Sequence, residues 1–110
     1  MYEYNARDVV LVDGDTFHVT VDLGLDVSVR TTVRVYGINC PEMSTPAGRD
    51  AKVFAVDWLA AQVALGPLSV RTVKDKREKY GRYLADLRGV GGVSLAADLV
   101  SAGHAVPYFP

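Results

Sequence analysis

Residues 27–46 read VSVRTTVRVYGINCPEMSTP, and the fold follows from how that stretch is parsed. Its first eleven residues are rich in β-branched side chains and alternate like a half-buried strand, with Val33 and Val35 facing opposite to Arg34 and Tyr36. The strand loosens at Gly37. Asn39, Cys40, Pro41 and Glu42 follow in consecutive positions, and the proline ends any ladder of strand hydrogen bonds. Ser44 or Thr45 can then cap a helix that begins at Pro46, where a missing N–H costs nothing. A cation, an amide and a carboxylate thus surround a sharp break. The segment is either an ordinary polar loop or one wall of a site.

Upstream, VVLV (9–12) runs into the turn signal DGD, and TFHVTVDL (16–23) resumes with Phe17, Val19 and Val21 on one face. Residues 24–26 supply the next turn, so three strands form a meander. Downstream, Asp50 falls near the first turn of the helix, and Val53, Phe54, Val56, Trp58, Leu59, Val63 and Leu65 offer a broad apolar face. Trp58 reads as core. Gly66-Pro67 stops the helix. LSVRTVK (68–74) and RYLADLR (82–88) are strands around the basic loop DKREKYG (75–81). Gly89, Gly91 and Gly92 break the second of these strands. Ser94 caps a short helix through Ala102, closed by Gly103, and the tail HAVPYFP (104–110), with two prolines, is expected to be irregular. The order β-β-β-α-β-β-α predicts an α+β fold: a five-stranded Greek-key barrel of the OB type. At 110 residues the chain is expected to form one domain, residues 1–110.

The bulk composition narrows the class. With 49% hydrophobic and 23% charged residues, the chain has the makeup of a globular protein rather than a disordered one. No apolar run approaches the roughly 20 residues needed to cross a bilayer. The start, MYEYNARD, lacks the cationic and apolar regions of a secretory signal, so a cytoplasmic location is expected. A single cysteine excludes an internal disulfide framework. The net charge of −1 conceals an uneven distribution, because residues 71–88 hold seven of the twelve basic side chains. Such a stretch is either a solvated strand and loop or a local attractor of phosphates.

Three separated stretches carry unusual chemistry: VDGDTFHV (12–19), VRVYGINCPE (33–42) and EKYGRYLADL (78–87). In this order, and with the intervening helix, they resemble the staphylococcal nuclease (thermonuclease) family, from about Val10 to Tyr108. The resemblance implies a calcium-dependent phosphodiesterase that cleaves DNA and RNA and leaves 3′-phosphate ends. By position it implies that Asp15 is a metal carboxylate, that Asn39 stands where the family often has a second one, and that Cys40 offers its backbone carbonyl. It places Glu42 as the carboxylate that activates water, and Arg34 and Arg82 as the arginines that hold the phosphate. It likens Lys79 and Tyr80 to a pair contacting a neighbouring phosphate, and Tyr108 to an aromatic beside a nucleotide. No obligate protein partner is implied.

The residue types suit that chemistry on their own account. Phosphodiester hydrolysis needs charge stabilisation on the phosphoryl group, a positioned water and help for the leaving oxygen. Guanidinium groups offer paired donors and keep their charge at any relevant pH. A hard cation held by oxygens polarises the phosphoryl group. Each residue also has a plain structural reading: Asp15 as a turn residue, Arg34 on a solvated strand face, Arg82 at a strand edge, Glu42 as a loop acid or helix cap. Lys79, Tyr80 and Tyr108 fit an ordinary basic loop and half-buried tyrosines equally well, and His18 and His104 read as structural.

Arg34 and Glu42 are eight residues apart, roughly 26 Å if extended, so they can face one phosphate only if the chain turns back between them. Gly37 and Asn39, both tolerant of unusual dihedrals, would allow that elbow. Two departures from the family pattern stand out. Asn39 brings an amide where relatives often have a carboxylate, which predicts weaker metal binding. The chain also stops soon after Tyr108, so a further C-terminal helix common in relatives is expected to be missing. Cys40 with His18 invites a soft-metal reading, but zinc needs more nitrogen and sulfur ligands than this chain spaces suitably. The alternative to an enzyme is a non-catalytic module of the same fold that binds nucleic acid or peptide.

Overall fold

The computed structural model describes residues 2–77 and 81–109, with the backbone alone for 74–77. Three strands, β1 (Tyr2–Leu11), β2 (Thr16–Gly24) and β3 (Val27–Val35), form the expected meander. A two-residue strand, β4 (Ile38–Asn39), and helix α1 (Pro46–Leu65) precede β5 (Leu68–Arg77) and β6 (Tyr83–Arg88). A 3₁₀ turn (Val90–Gly92), helix α2 (Leu95–Ser101) and β7 (Val106–Pro107) complete the order. The sheet closes as β1-β2-β3-β6-β5. Every neighbouring pair is antiparallel except β3 and β6. The parallel pair exists because the chain leaves β3, crosses by way of α1 and β5, and returns beside β3. This is the mixed five-stranded barrel with helices that the element order predicts.

The first strand is longer than its apolar run implies. Residues 2–6 pair with β5 and residues 5–11 with β2. Its two edges serve two neighbours, and its register against β2 slips between Arg7 and Val10, with Asp8 at φ 54°. Such a bulge bends a strand and increases its twist, which lets a five-stranded sheet meet its own edge. At the opposite hairpin, Leu25 and Asp26 both take positive φ, 54° and 61°. That pattern matches the right-handed twist of the flanking strands.

Inside the barrel, Phe17, Val19, Val33, Val35, Val70, Ala85 and Leu87 are buried, and Leu95 and Leu99 of α2 join the same core. Full burial of each Phe, Leu or Val is worth about 1.5–3 kcal/mol, so the alternating pattern of β2 and β3 anchors the register.

Helix α1 starts and stops as expected. Thr45 Oγ1 accepts from the Gly48 N–H at 3.0 Å, and Gly66 closes the helix with its N–H on the Gln62 carbonyl at 3.2 Å. Asp50 lies beyond the first turn, which contains no acid. The apolar face of α1 is borne out in part: Phe54, Trp58 and Leu59 pack against the core. Gly48, Ala51, Ala55, Trp58 and Gln62 are buried, whereas Val53, Val56, Val63 and Leu65 are exposed. Close approach keeps the first turns small: a Cβ on Gly48 would overlap the Glu42 carbonyl, and a Cβ on Gly14 would lie 3.0 Å from that of Ala51. Trp58 is tied to α2 by its Nε1–H donating to Asp98 Oδ2 at 2.8 Å.

The tail is a correction. Val106 and Pro107 form β7, paired with Asn39 and Ile38 of β4. Proline is accommodated because a two-residue ladder at a sheet edge leaves its missing N–H unused. Among the described residues, no helix is long and apolar enough to cross a membrane.

Candidate functional site

The break after β3 is a true elbow. Gly37 takes φ 85°, a left-handed conformation that costs glycine little. The turn folds β4 back against Arg34, whose guanidinium fills the bend. Nη1 donates to the Val35 carbonyl at 3.2 Å, and Nη2 donates to the Ile38 carbonyl and to Asn39 Oδ1, both at 3.1 Å. Asn39 does not supply a left-handed residue, as the sequence reading allowed; it belongs to β4. The bend is made by Gly37 and held by Arg34.

The same arginine reaches the turn before β2. Arg34 Nη1 lies 3.3 Å from Asp15 Oδ2, and that oxygen also accepts from the Cys40 N–H at 2.9 Å. The turn itself is tied internally: the Asp13 carboxylate accepts from the Asp15 N–H at 3.0 Å, and the Asp15 carbonyl accepts from the Val35 N–H at 2.8 Å. The DGDT turn and the elbow are therefore cross-linked at both main chain and side chain.

Asp15 is only 8% exposed. Burial, reinforced by Asp13, outweighs the Cys40 N–H and Arg34 and lifts the carboxyl from 3.8 to about 6. Burial and the neighbouring Asp15 and Asp13 also push the Cys40 thiol up to about 12, so it stays protonated at neutral pH. That removes the thiolate a soft metal would need. His18 is turned to the outer face, with Nδ1 at 2.8 Å from Thr32 Oγ1.

Arg82 arrives from just ahead of β6, the strand that borders β3 on the edge away from β2. The parallel pairing of Arg34 with Leu84 brings the start of β6 alongside β3. From there Arg82 Nη1 donates to Thr16 Oγ1 at 3.3 Å. Thr16 Oγ1 in turn lies 3.4 Å from Asp15 Oδ1. Two guanidiniums thus converge on adjacent residues of one turn, although 48 positions separate them in sequence.

The remaining expected residues are placed unevenly. Glu42 is anchored through its main chain, its carbonyl accepting from Thr45 Oγ1 at 2.6 Å and Thr45 N–H at 3.0 Å. Its exposed carboxylate makes no hydrogen bond or ion pair among the described residues. It lies two positions past Cys40, whose N–H touches Asp15, so its Cα lies within about 8 Å of the Cys40 Cα. Tyr108 sits beside the elbow, its N–H donating to the Gly37 carbonyl at 2.8 Å while the ring stays half exposed. Lys79 and Tyr80 lie outside the described residues.

The oxygens here suit a hard cation better than a soft one. Among the described residues Asp15 Oδ1 has only the long Thr16 contact, the Asp13 carboxylate accepts from the Asp15 N–H, and Asn39 Oδ1, a neutral oxygen, accepts from Arg34. Among the described residues, however, no group of three or more acidic, histidine or cysteine side chains gathers as a metal cage. The donor set fits a weakly held, largely hydrated ion.

Three participants escaped the sequence reading. Asp13 and Thr16 flank Asp15 inside the quoted DGDT turn, and their roles depend on which way each side chain points. Phe109 packs edge-on against Tyr36 with ring centroids 5.8 Å apart. Nothing in the spacing of the tail signals that contact.

A search of curated proteins finds no match to the chain. A family model described as staphylococcal nuclease homologue matches residues 32–110, which include the elbow, Arg34, Glu42 and Arg82 but not the DGDT turn. That turn nonetheless meets the matched part through β1 and β2, which close the same barrel. On a match that spans well over half its length, the chain belongs to the staphylococcal nuclease homologue family.

Proposed function

We propose that the protein is a calcium-dependent nuclease that hydrolyses phosphodiester bonds of DNA or RNA and leaves 3′-phosphate ends, with residues 1–110 acting as one domain. The observation that carries this reading is the convergence of Arg34 and Arg82 on the Asp15–Thr16 turn. Asp15, buried and lifted to about 6 by that burial, faces Arg34 directly, while Arg82 reaches the adjacent Thr16, a mixed-charge cluster of the kind that functional sites use. A phosphoryl group set between the two guanidiniums would have its non-bridging oxygens held by charge-assisted hydrogen bonds. Glu42, without a partner among the described residues and two residues past Cys40, would orient a water and take its proton as the water attacks phosphorus. The bond to the 5′-oxygen then breaks, with Arg82 stabilising the departing oxygen. Asp15, Asn39 and the Cys40 carbonyl would hold calcium, which when bound polarises the phosphoryl group. Lys79, Tyr80 and Tyr108 would contact flanking nucleotide units.

A second reading, a non-catalytic module that binds nucleic acid or peptide, is favoured by one observation: a single certain carboxylate faces the cation position, because residue 39 is an amide. Plasmid digestion with calcium and then with chelator separates the two. Cleavage that chelator abolishes, and that Arg82→Ala lowers by about 10²–10³-fold with the fold intact, supports the nuclease. A gel shift without cleavage supports the module, and wild-type turnover in Arg82→Ala refutes the arginine assignment.

A further inference from the structure

The outer face of β2 and β3 repeats one arrangement beyond the site. The register sets Thr16 opposite Arg34, His18 opposite Thr32, and Thr20 opposite Arg30. These positions alternate with the buried Phe17, Val19 and Val33, so all six side chains leave the outer side of the sheet; Thr16 is itself covered at the site, and the two rungs beyond it reach solvent wholly or in part. The two rungs beyond the site are bonded pairs. His18 Nδ1 meets Thr32 Oγ1 at 2.8 Å, and Arg30 Nη1 donates to Thr20 Oγ1 at 3.1 Å. Arg30 is further steadied by the carbonyl of Asp8, the residue at the β1 bulge. His18 and Arg30 are exposed. No carboxylate occurs among the six. The row ends at Asp22, whose carboxylate is taken by Arg7 at 3.3 Å.

Rungs two residues apart are separated by about 7 Å, so the row runs about 14 Å from Arg34 to Arg30. A stretched nucleotide unit spans a length comparable to one rung. We propose that this row is the track on which the substrate strand continues past the reacting phosphate. It would seat one extended, single-stranded nucleic acid, with successive phosphates meeting the His18–Thr32 and Arg30–Thr20 rungs. The assignment rests on the nuclease reading for its starting point at Arg34. Charge complementarity and a single file of donors, continuous with that site, favour one polyanionic backbone over a peptide. The bond from Asp8 holds Arg30 in place before any strand arrives, which lowers the entropy lost on binding.

The test uses labelled oligothymidylates: a dinucleotide with one phosphodiester, which reaches only the Arg34–Arg82 site, and a dodecamer. Binding by fluorescence anisotropy in chelator, across a salt series, is compared for wild type, Arg30→Ala and Thr32→Lys. The dodecamer should bind wild type at least about tenfold more tightly than the dinucleotide. Arg30→Ala should weaken dodecamer binding about 3–10-fold and lower its log–log salt slope by about 0.7, leaving the dinucleotide unaffected. Thr32→Lys should change both quantities in the opposite direction, which loss of structure cannot do. Equal affinity for the two lengths, no binding to either, or unchanged dodecamer slopes in both variants would overturn the track. Calcium-dependent cleavage of both oligomers without any length effect would overturn the track and leave the nuclease standing. Length-dependent binding with no cleavage would do the reverse.

Discussion

Replacing Asp15 with asparagine should stabilise the metal-free protein at neutral pH while removing its activity. The folded carboxyl has been lifted from 3.8 to about 6 by burial, so it holds its proton more tightly folded than unfolded. Between those pH values the native state binds more protons than the unfolded chain, and stability falls as pH rises through the window. Above pH 6 the cost is complete. At about 1.4 kcal/mol per pH unit the difference corresponds to ~3 kcal/mol, and water at the exposed edge of the carboxylate should reduce this to about 1–3 kcal/mol. An asparagine oxygen can still accept from the Cys40 N–H, and Arg34 keeps its bonds to Val35, Ile38 and Asn39. Urea unfolding in chelator, followed from pH 4 to pH 7.5, isolates this group as the difference between the two proteins. Variant and wild type should nearly coincide at pH 4 and separate progressively up to pH 7. A difference that stays flat with pH, or an asparagine variant less stable at pH 7.5, would refute the claim that a destabilising buried charge is retained here.

Asn39→Asp places a second carboxylate beside Asp15 and should tighten calcium at least about tenfold, even with Arg34 competing for it; unchanged affinity by calorimetric titration counts against the metal placement. Gly48→Ala forces a methyl group onto the Glu42 carbonyl and should cost about 2–3 kcal/mol, read as a lower urea midpoint. It should also disorganise the 41–45 segment that carries Glu42, lowering turnover more than the stability loss explains. At the β2–β3 hairpin, Leu25→Asn with Asp26→Gly removes two costly positive-φ residues and should raise stability by about 1 kcal/mol in thermal melts without touching activity.

The barrel was legible because alternation in β2 and β3 reports burial directly: Phe17, Val19, Val21, Val33 and Val35 all face inward as their spacing indicates. The boundaries of α1 were equally plain, since Thr45, Pro46 and Gly66 act locally. Its packing face was legible only in part. Apolar content identifies residues that can be buried, but the docking of the helix decides which ones are. Here Phe54, Trp58 and Leu59 turn to the core while Val53, Val56 and Val63 stay exposed, and the Glu42 carbonyl pressed onto Gly48 leaves no room for a side chain there. The tail was misread for a similar reason, because Val106 and Pro107 become a strand only when β4 is present to receive them.

The candidate site divides along the same line. Sequence alone determined the cast, in DGDT, the Arg34 strand, the Gly37 break, Glu42 and Arg82, since motif chemistry is local. Only the tertiary structure decided that Arg34 bridges Asp15 and Asn39, that Thr16 receives Arg82, and that Glu42 stands without a partner among the described residues. Those outcomes depend on strand register and on where a folded chain brings distant residues together. A one-dimensional pattern carries neither quantity.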